Sequence, residues 1–142
     1  MSDNRSQVFA ALNAWERRMD KAAQMATKQI SNEVERNARK IVGEIVHPRG
    51  TPHVPTASGG PNTVTGNLGR NILAALPRRE GFGTYVAIVG ANTIYARQLE
   101  EGGGNWPAGV KYPFMRPARN EVVESGKARI ILTGYVRAAM GG

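Results

Sequence analysis

Cysteine is absent from the 142-residue sequence. Disulfide staples and thiolate-held structural zinc are therefore excluded, and nothing demands an oxidising compartment. Histidine occurs only as His47 and His53, both among prolines and without a nearby carboxylate, so no metal centre is expected. Aspartate is confined to Asp3 and Asp20. No stretch approaches the roughly 20 apolar residues that span a bilayer, and MSDNRSQVFAALNAW lacks a charged leader followed by an apolar block. Neither a membrane span nor a signal peptide is expected.

The chemistry of catalysis is equally sparse. Glu100 and Glu101 are neighbours, which on a helix sets them about 100° apart and makes them no facing acid–base pair. Gly81, Gly83 and Gly90 match neither phosphate-loop nor dinucleotide-loop spacing and read as turn glycines. Zinc fingers, the aromatic RNA-binding strand signature and a helix-turn-helix pair are missing as well. The reading is of a non-enzymatic protein with no catalytic residue, cofactor or metal.

What remains is enough for one domain over 1–142, with 41% apolar and 21% charged residues. The formal charge is +8, unevenly placed: residues 1–46 hold 8 basic and 6 acidic side chains, the rest 11 and 5. Such a surplus favours nucleic acid or an acidic protein neighbour, or simply keeps the surface soluble. Arg70, Arg78, Arg79, Arg116, Arg119 and Arg129 are the candidates for facing a phosphate backbone or an acidic partner.

Between Arg5 and Val46 there is no proline and one glycine, Gly43. Val8, Leu12, Trp15, Met19, Ala22, Ala26, Ile30, Val34, Ala38, Ile41 and Ile45 recur in steps of three and four, a single stripe on a long helix over 1–46. Steps averaging near 3.7 residues fit a plain amphipathic helix better than a two-stranded coiled coil. A straight helix of that length runs about 60 Å, against about 37 Å for a compact domain, so it must break or protrude. A protruding stripe needs another chain to cover it, which predicts oligomerisation.

Residues 47–65, with four prolines and three glycines, read as an extended loop, and 66–142 as an α+β body. Thr65 caps a short helix through Arg70. Ile72 to Leu76 and Thr84 to Gly90 form a hairpin whose second strand is buried. Thr93 to Glu101 is a short helix stopped by Gly102 to Gly104, and a C-terminal helix runs from about Pro117 towards Ala139. Gly126 and Gly134 weaken that helix, leaving room for a break or a short strand at Arg129 to Thr133. The predicted fold is thus α+β: a long amphipathic N-terminal helix, a small antiparallel hairpin packed with short helices, and a C-terminal helix.

Four segments in order carry a resemblance: Thr65-Gly66-Asn67-Leu68, a strand ending Val89-Gly90, Tyr95-Ala96-Arg97-Gln98-Leu99-Glu100-Glu101-Gly102, and Pro113-Phe114-Met115-Arg116-Pro117-Ala118. From Arg5 to Met140 the chain resembles the small neck, tail-completion and minor head-tail joining proteins of long-tailed double-stranded DNA phages. It departs from many relatives at Glu101, where they carry an aromatic, and in the glycine-rich stretch around Trp106. The resemblance implies a virion subunit, made in the host cytoplasm and located at the neck or head-proximal end of the tail. There it forms a homo-oligomeric ring, with a hexamer one closed form, joining the DNA-filled head to the tail around the DNA channel. Implied partners are connector or stopper proteins and tail terminator or tail tube proteins, with genomic DNA in the lumen contacted without sequence specificity. Tail terminator, head-closure stopper and non-specific DNA-binding protein are the alternative roles. The residues expected to build the architecture and its interfaces are Thr65, Gly66, Leu68, Tyr95, Leu99, Glu100, Pro113, Phe114, Arg116 and Pro117. Tyr95 and Leu99 pack one turn apart on the hairpin, Phe114 plugs the core, and Glu100 accepts hydrogen bonds from a neighbouring loop or pairs with Arg116.

Overall fold

The computed structural model describes residues 3–43, 70–91, 100–101 and 114–141. Its elements in chain order are helix α1 (Asp3–Gly43), strands β1 (Ile72–Ala74), β2 (Arg78–Gly81), β3 (Thr84–Val86) and β4 (Val89–Ala91), and helices α2 (Met115–Glu124) and α3 (Lys127–Ala139). The α+β class read from the sequence is the architecture observed.

Helix α1 runs unbroken for 41 residues, about 62 Å at 1.5 Å per residue. The stripe behaves differently along its length. Val34, Ala38 and Val42 join Ile72 of β1 and Phe114, Ala118 and Val122 of α2 in the core, with Ile30, Ile41, Val89, Ala91, Met115 and Ala128 packed around them. Ala22 and Ala26 are buried as well, whereas Val8, Leu12 and Trp15 are 57%, 51% and 42% exposed. Between breaking and protruding, the helix protrudes: its first turns leave Val8, Phe9 and Leu12 exposed, and contact with the ribbon tip and α3 begins near Asn13 and Ala14.

The four short strands pair as two two-stranded antiparallel sheets, β1 with β4 and β2 with β3, which follow each other along one hairpin ribbon. Ile72 pairs with Ala91 and Ala74 with Val89. The ladder continues through Ala75 N–H to Ile88 C=O at 2.8 Å. It resumes beyond Pro77 with Arg78 opposite Val86 and Arg79 opposite Tyr85, then a bulge before Gly81 opposite Thr84. Pro77 has no N–H to give the ladder, which explains the interruption there. Gly83 closes the turn with φ of 65°, in the left-handed region that glycine enters without a Cβ clash.

The single buried strand expected over Thr84 to Gly90 is corrected. The segment is divided between β3 and β4, and none of its residues is fully buried. Val86 and Ile88 point out, at 41% and 67% exposure, because among the described residues the ribbon has a helix, α1, on one face only. Its apolar character on both faces predicted burial that would need a second layer, and none is present among the described residues.

Two side chains of α1 dress the free edge of β1. Glu35 Oε2 accepts the N–H of Ala74 at 2.9 Å. Arg39 donates from Nη2 and Nε to the C=O of Ile72 at 2.8 and 3.3 Å. The two are four residues apart on the helix and form an ion pair at 2.9 Å. Together they occupy the positions a neighbouring strand would take, so this stretch of edge is closed to further pairing.

The C-terminal helix expected from Pro117 to Ala139 begins two residues earlier and is two helices. Gly126 adopts φ of 83°, its N–H bonds Val123 C=O at 3.3 Å, and its own C=O accepts from Ile130. A glycine in this left-handed conformation ends α2 and redirects the chain. Arg129 to Thr133 is helical, so neither the break nor a strand falls there. α3 folds back along α1. Lys127 Nζ meets Glu33 at 2.7 Å, Tyr135 Oη donates to Gln29 at 2.8 Å, and Arg18 Nε donates to Ala139 C=O at 3.2 Å. The cation at Arg18 thus sits on the carbonyl-rich end of α3, the favourable sign for a helix C-terminus.

Candidate assembly surface

Of the residues singled out from the sequence, Thr65, Gly66, Leu68, Tyr95, Leu99 and Pro113 lie outside the described residues. The others converge on the start of α2. Glu100 Oε2 accepts the N–H groups of Phe114 and Met115 at 2.8 and 2.9 Å, and Oε1 accepts the N–H of Arg116 at 2.8 Å. A helix leaves its first N–H groups without intrahelical partners. Here Pro117 has no N–H to leave, and Ala118 N–H already reaches Phe114 C=O at 3.3 Å. One carboxylate therefore satisfies the whole orphan set, and its negative charge suits the positive end of the helix dipole. Glu100 meets Arg116 through the backbone rather than through the guanidinium. Phe114, 1% exposed, turns its ring into the core from the position just before the helix.

The six candidate arginines do not share a cleft. Arg78 and Arg79 are consecutive on β2 and point to opposite sides, Arg78 to Glu80 and Arg79 to Asp20. Arg116 and Arg119 line a cleft of about 260 Å³ with Val34, Ala87, Val89 and Met115. Arg70 is exposed before β1, and Arg129 is exposed on α3.

A cluster not foreseen from the sequence ties the ribbon tip to α1. Asp20 accepts the Tyr85 hydroxyl at 2.6 Å, the Gly83 N–H at 2.9 Å and Arg79 Nε at 3.2 Å. The Tyr85 hydrogen bond, then that of Gly83, hold the Asp20 carboxyl below its usual range, and Asp20 in turn raises Tyr85. A phenol made harder to ionise beside a carboxylate made harder to protonate supplies neither a base nor an acid at neutral pH. The arrangement is a clamp. Its only sequence signal was an aspartate midway along a helix, 65 residues from its tyrosine.

The clamp has a defined pH window. A depressed carboxyl contributes stability above its unfolded value of 3.8 and loses it as pH falls through the lower folded value. A raised phenol contributes below its unfolded value of 10.0 and loses it as pH rises through the higher folded one. Amide exchange at Gly83, corrected for intrinsic rate, is therefore expected to be slowest between these limits. Asp20→Asn should accelerate it throughout that window; unchanged protection in Asp20→Asn would show that the tip is held by something else.

Glu33 provides a second tie. Its carboxylate, 11% exposed, bonds Lys127 at the start of α3 and Arg36 one turn along α1 at 3.1 Å, and the Lys127 hydrogen bond leads in lowering its pKa. Among the described residues there is no group of side chains that could hold a metal ion, and no helix long and apolar enough to cross a membrane.

Many of the exposed apolar side chains are grouped. Val8, Phe9, Leu12 and Trp15 extend along the projecting end of α1, and Leu73, Leu76, Val86 and Ile88 mark the ribbon, with Phe82 at its tip. Comparisons with protein-family models, curated proteins and solved structures found no match.

Proposed function

We propose that this chain is a structural subunit of the head-tail connector of a long-tailed phage, forming a neck or tail-completion ring that joins the DNA-filled head to the tail. The observation that carries this reading is the projecting third of α1. Its apolar stripe continues the line of the core but leaves the subunit's own body, and apolar area left in water forgoes roughly 25 cal/mol per Å². A neighbouring copy that covers it makes a head-to-tail contact, and such contacts close into rings when the rotation permits. The ordered motifs of the sequence support the same reading, since the Glu100 and Phe114–Arg116 segments form one structural joint.

The role is assembly, with no bond made or broken. The subunit completes the end of the neck or tail and keeps a closed passage for DNA; the basic surplus faces that passage or an acidic ring above or below.

The test is to add purified protein to tails and DNA-filled heads from a mutant lacking it, then score infectious particles and image the joint. Restored infectivity with a ring at the neck is expected; joining that proceeds without it refutes the role, and a ring on the other side of the joint assigns it as terminator or stopper. The double variant Leu12→Ser/Trp15→Ser alters only exposed positions, so it should fold with little loss of stability. It should still weaken self-association by about 30-fold or more, as expected when interface anchors worth about 2 kcal/mol are removed. Mass photometry of the ring against the 15.3 kDa monomer reads this directly.

A further inference from the structure

Next to the cleft at the ribbon clamp, with which it shares Arg17 and Lys21, α1 and α3 leave an open groove of about 590 Å³. Ala14, Ala22, Met25, Tyr135 and Ala139 give it an apolar floor and walls, and Arg17, Arg18 and Lys21 rim it. No acidic side chain lines it. Asp20 is engaged by the ribbon, and with Glu16 it lines the adjoining cleft, which Arg17 and Lys21 border as well. Arg17 makes no hydrogen bond or ion pair among the described residues, and Lys21 has only Gln24 at 3.4 Å. Arg18 is anchored at the groove's end by Ala139 C=O.

We infer that this groove is a docking site for an acidic amphipathic helix of a partner protein. From Ala14 to Met25 the floor is about 17 Å long, three helical turns, and its alanines let another backbone approach closely. Apolar side chains on one face of the incoming helix fill the floor while glutamates or aspartates beside them meet the three cations. This chain is a poor occupant of its own groove. Over residues 3–18 its projecting helix carries Asp3 and Glu16 against Arg5, Arg17 and Arg18, a net positive charge, and residues 47–65 contain no acidic side chain. A nucleic acid would answer the cations but leave the alanine and methionine floor unfilled. The inference stands independently of the ring proposal, because it concerns a face other than the projecting stripe.

The probe is a fluorescein-labelled 14-residue helical peptide with leucines along one face and glutamates flanking them, titrated by anisotropy into the full chain. Saturable binding is expected, weakening with salt. Two oppositely directed changes should each cost about tenfold or more: Arg17→Glu/Lys21→Glu in the protein, and glutamine for glutamate in the peptide. Ala14→Trp, which fills the floor and keeps the charges, should lower binding as much; circular dichroism checks that each variant folds. The inference is overturned if binding does not saturate, if the glutamine peptide binds as well, or if both protein variants bind as the parent does. It is also overturned if a 20-base-pair duplex displaces the peptide and loses affinity in the same charge-reversed variant, which would make the face a nucleic-acid surface.

Discussion

Replacing Phe114 with alanine is expected to cost about 3–5 kcal/mol of stability, a large fraction of the roughly 5–15 kcal/mol that holds a domain folded. The ring is 1% exposed and is the largest fully buried side chain among the described residues. It shares one core cluster with Val34, Ala38 and Val42 of α1, Ile72 of β1, and Ala118 and Val122 of α2. The cost combines lost transfer energy with a cavity that the long helix, tied at Glu33 and Glu35, does not collapse to fill. Urea denaturation measures the loss, with Ile130→Ala, at a site 72% exposed on α3, as the control expected within about 0.5 kcal/mol of the parent. A Phe114→Ala loss below about 1 kcal/mol would mean that the core is organised around something other than this ring.

Glu100→Ala comes next, at about 2–4 kcal/mol. Removing the carboxylate leaves the N–H groups of Phe114, Met115 and Arg116 without an acceptor, and hydrogen bonds to a charged group contribute about 1.5–3 kcal/mol each. The sum falls short of three full bonds because Arg116 is exposed, so water replaces the acceptor there. Glu100→Gln retains one carbonyl oxygen and loses the charge, and should cost about half as much. Thermal unfolding reads both variants, and amide exchange at Met115 and Arg116 localises the effect to the first turn of α2. If Glu100 served only a contact with another subunit, the isolated chain would keep its stability and only the joining of heads to tails would suffer.

The two predictions differ in how much of their basis was legible beforehand. That Phe114 is a core plug followed from a large aromatic between two prolines at the start of a helix. That Glu100 accepts hydrogen bonds from a neighbouring segment was also expected, but not that it accepts three from the backbone, nor that Pro117 makes the set complete by lacking a donor. The candidate arginines were chosen by charge alone, and charge does not say which acid lies opposite. Arg79 is held by an aspartate 59 residues away, while the groove cations Arg17, Arg18 and Lys21 lie on α1, outside the candidate set. Their spacing was a usable signal, since Arg17 and Lys21 are one turn apart on the side of α1 away from the stripe.

Local rules determined the elements. A long span free of proline, with apolar residues every three or four positions, can only satisfy its backbone as a helix. The turn at Gly83, the interruption at Pro77 and the left-handed residue at Gly126 follow from what glycine and proline alone permit or forbid. The sequence thereby determined the α+β class and most of the element order. Which part of each apolar surface is buried was decided by tertiary structure. Val34 and Val8 look alike on the stripe, but only the former has α2 and β1 beside it. The Asp20 clamp, the Glu35–Arg39 dressing of β1 and the Glu100 cap all join residues distant in the chain. The physical reason is the same in each case: helix and turn formation depend on neighbours a few residues away, whereas burial and long-range hydrogen bonds depend on which surfaces the folded chain sets against each other.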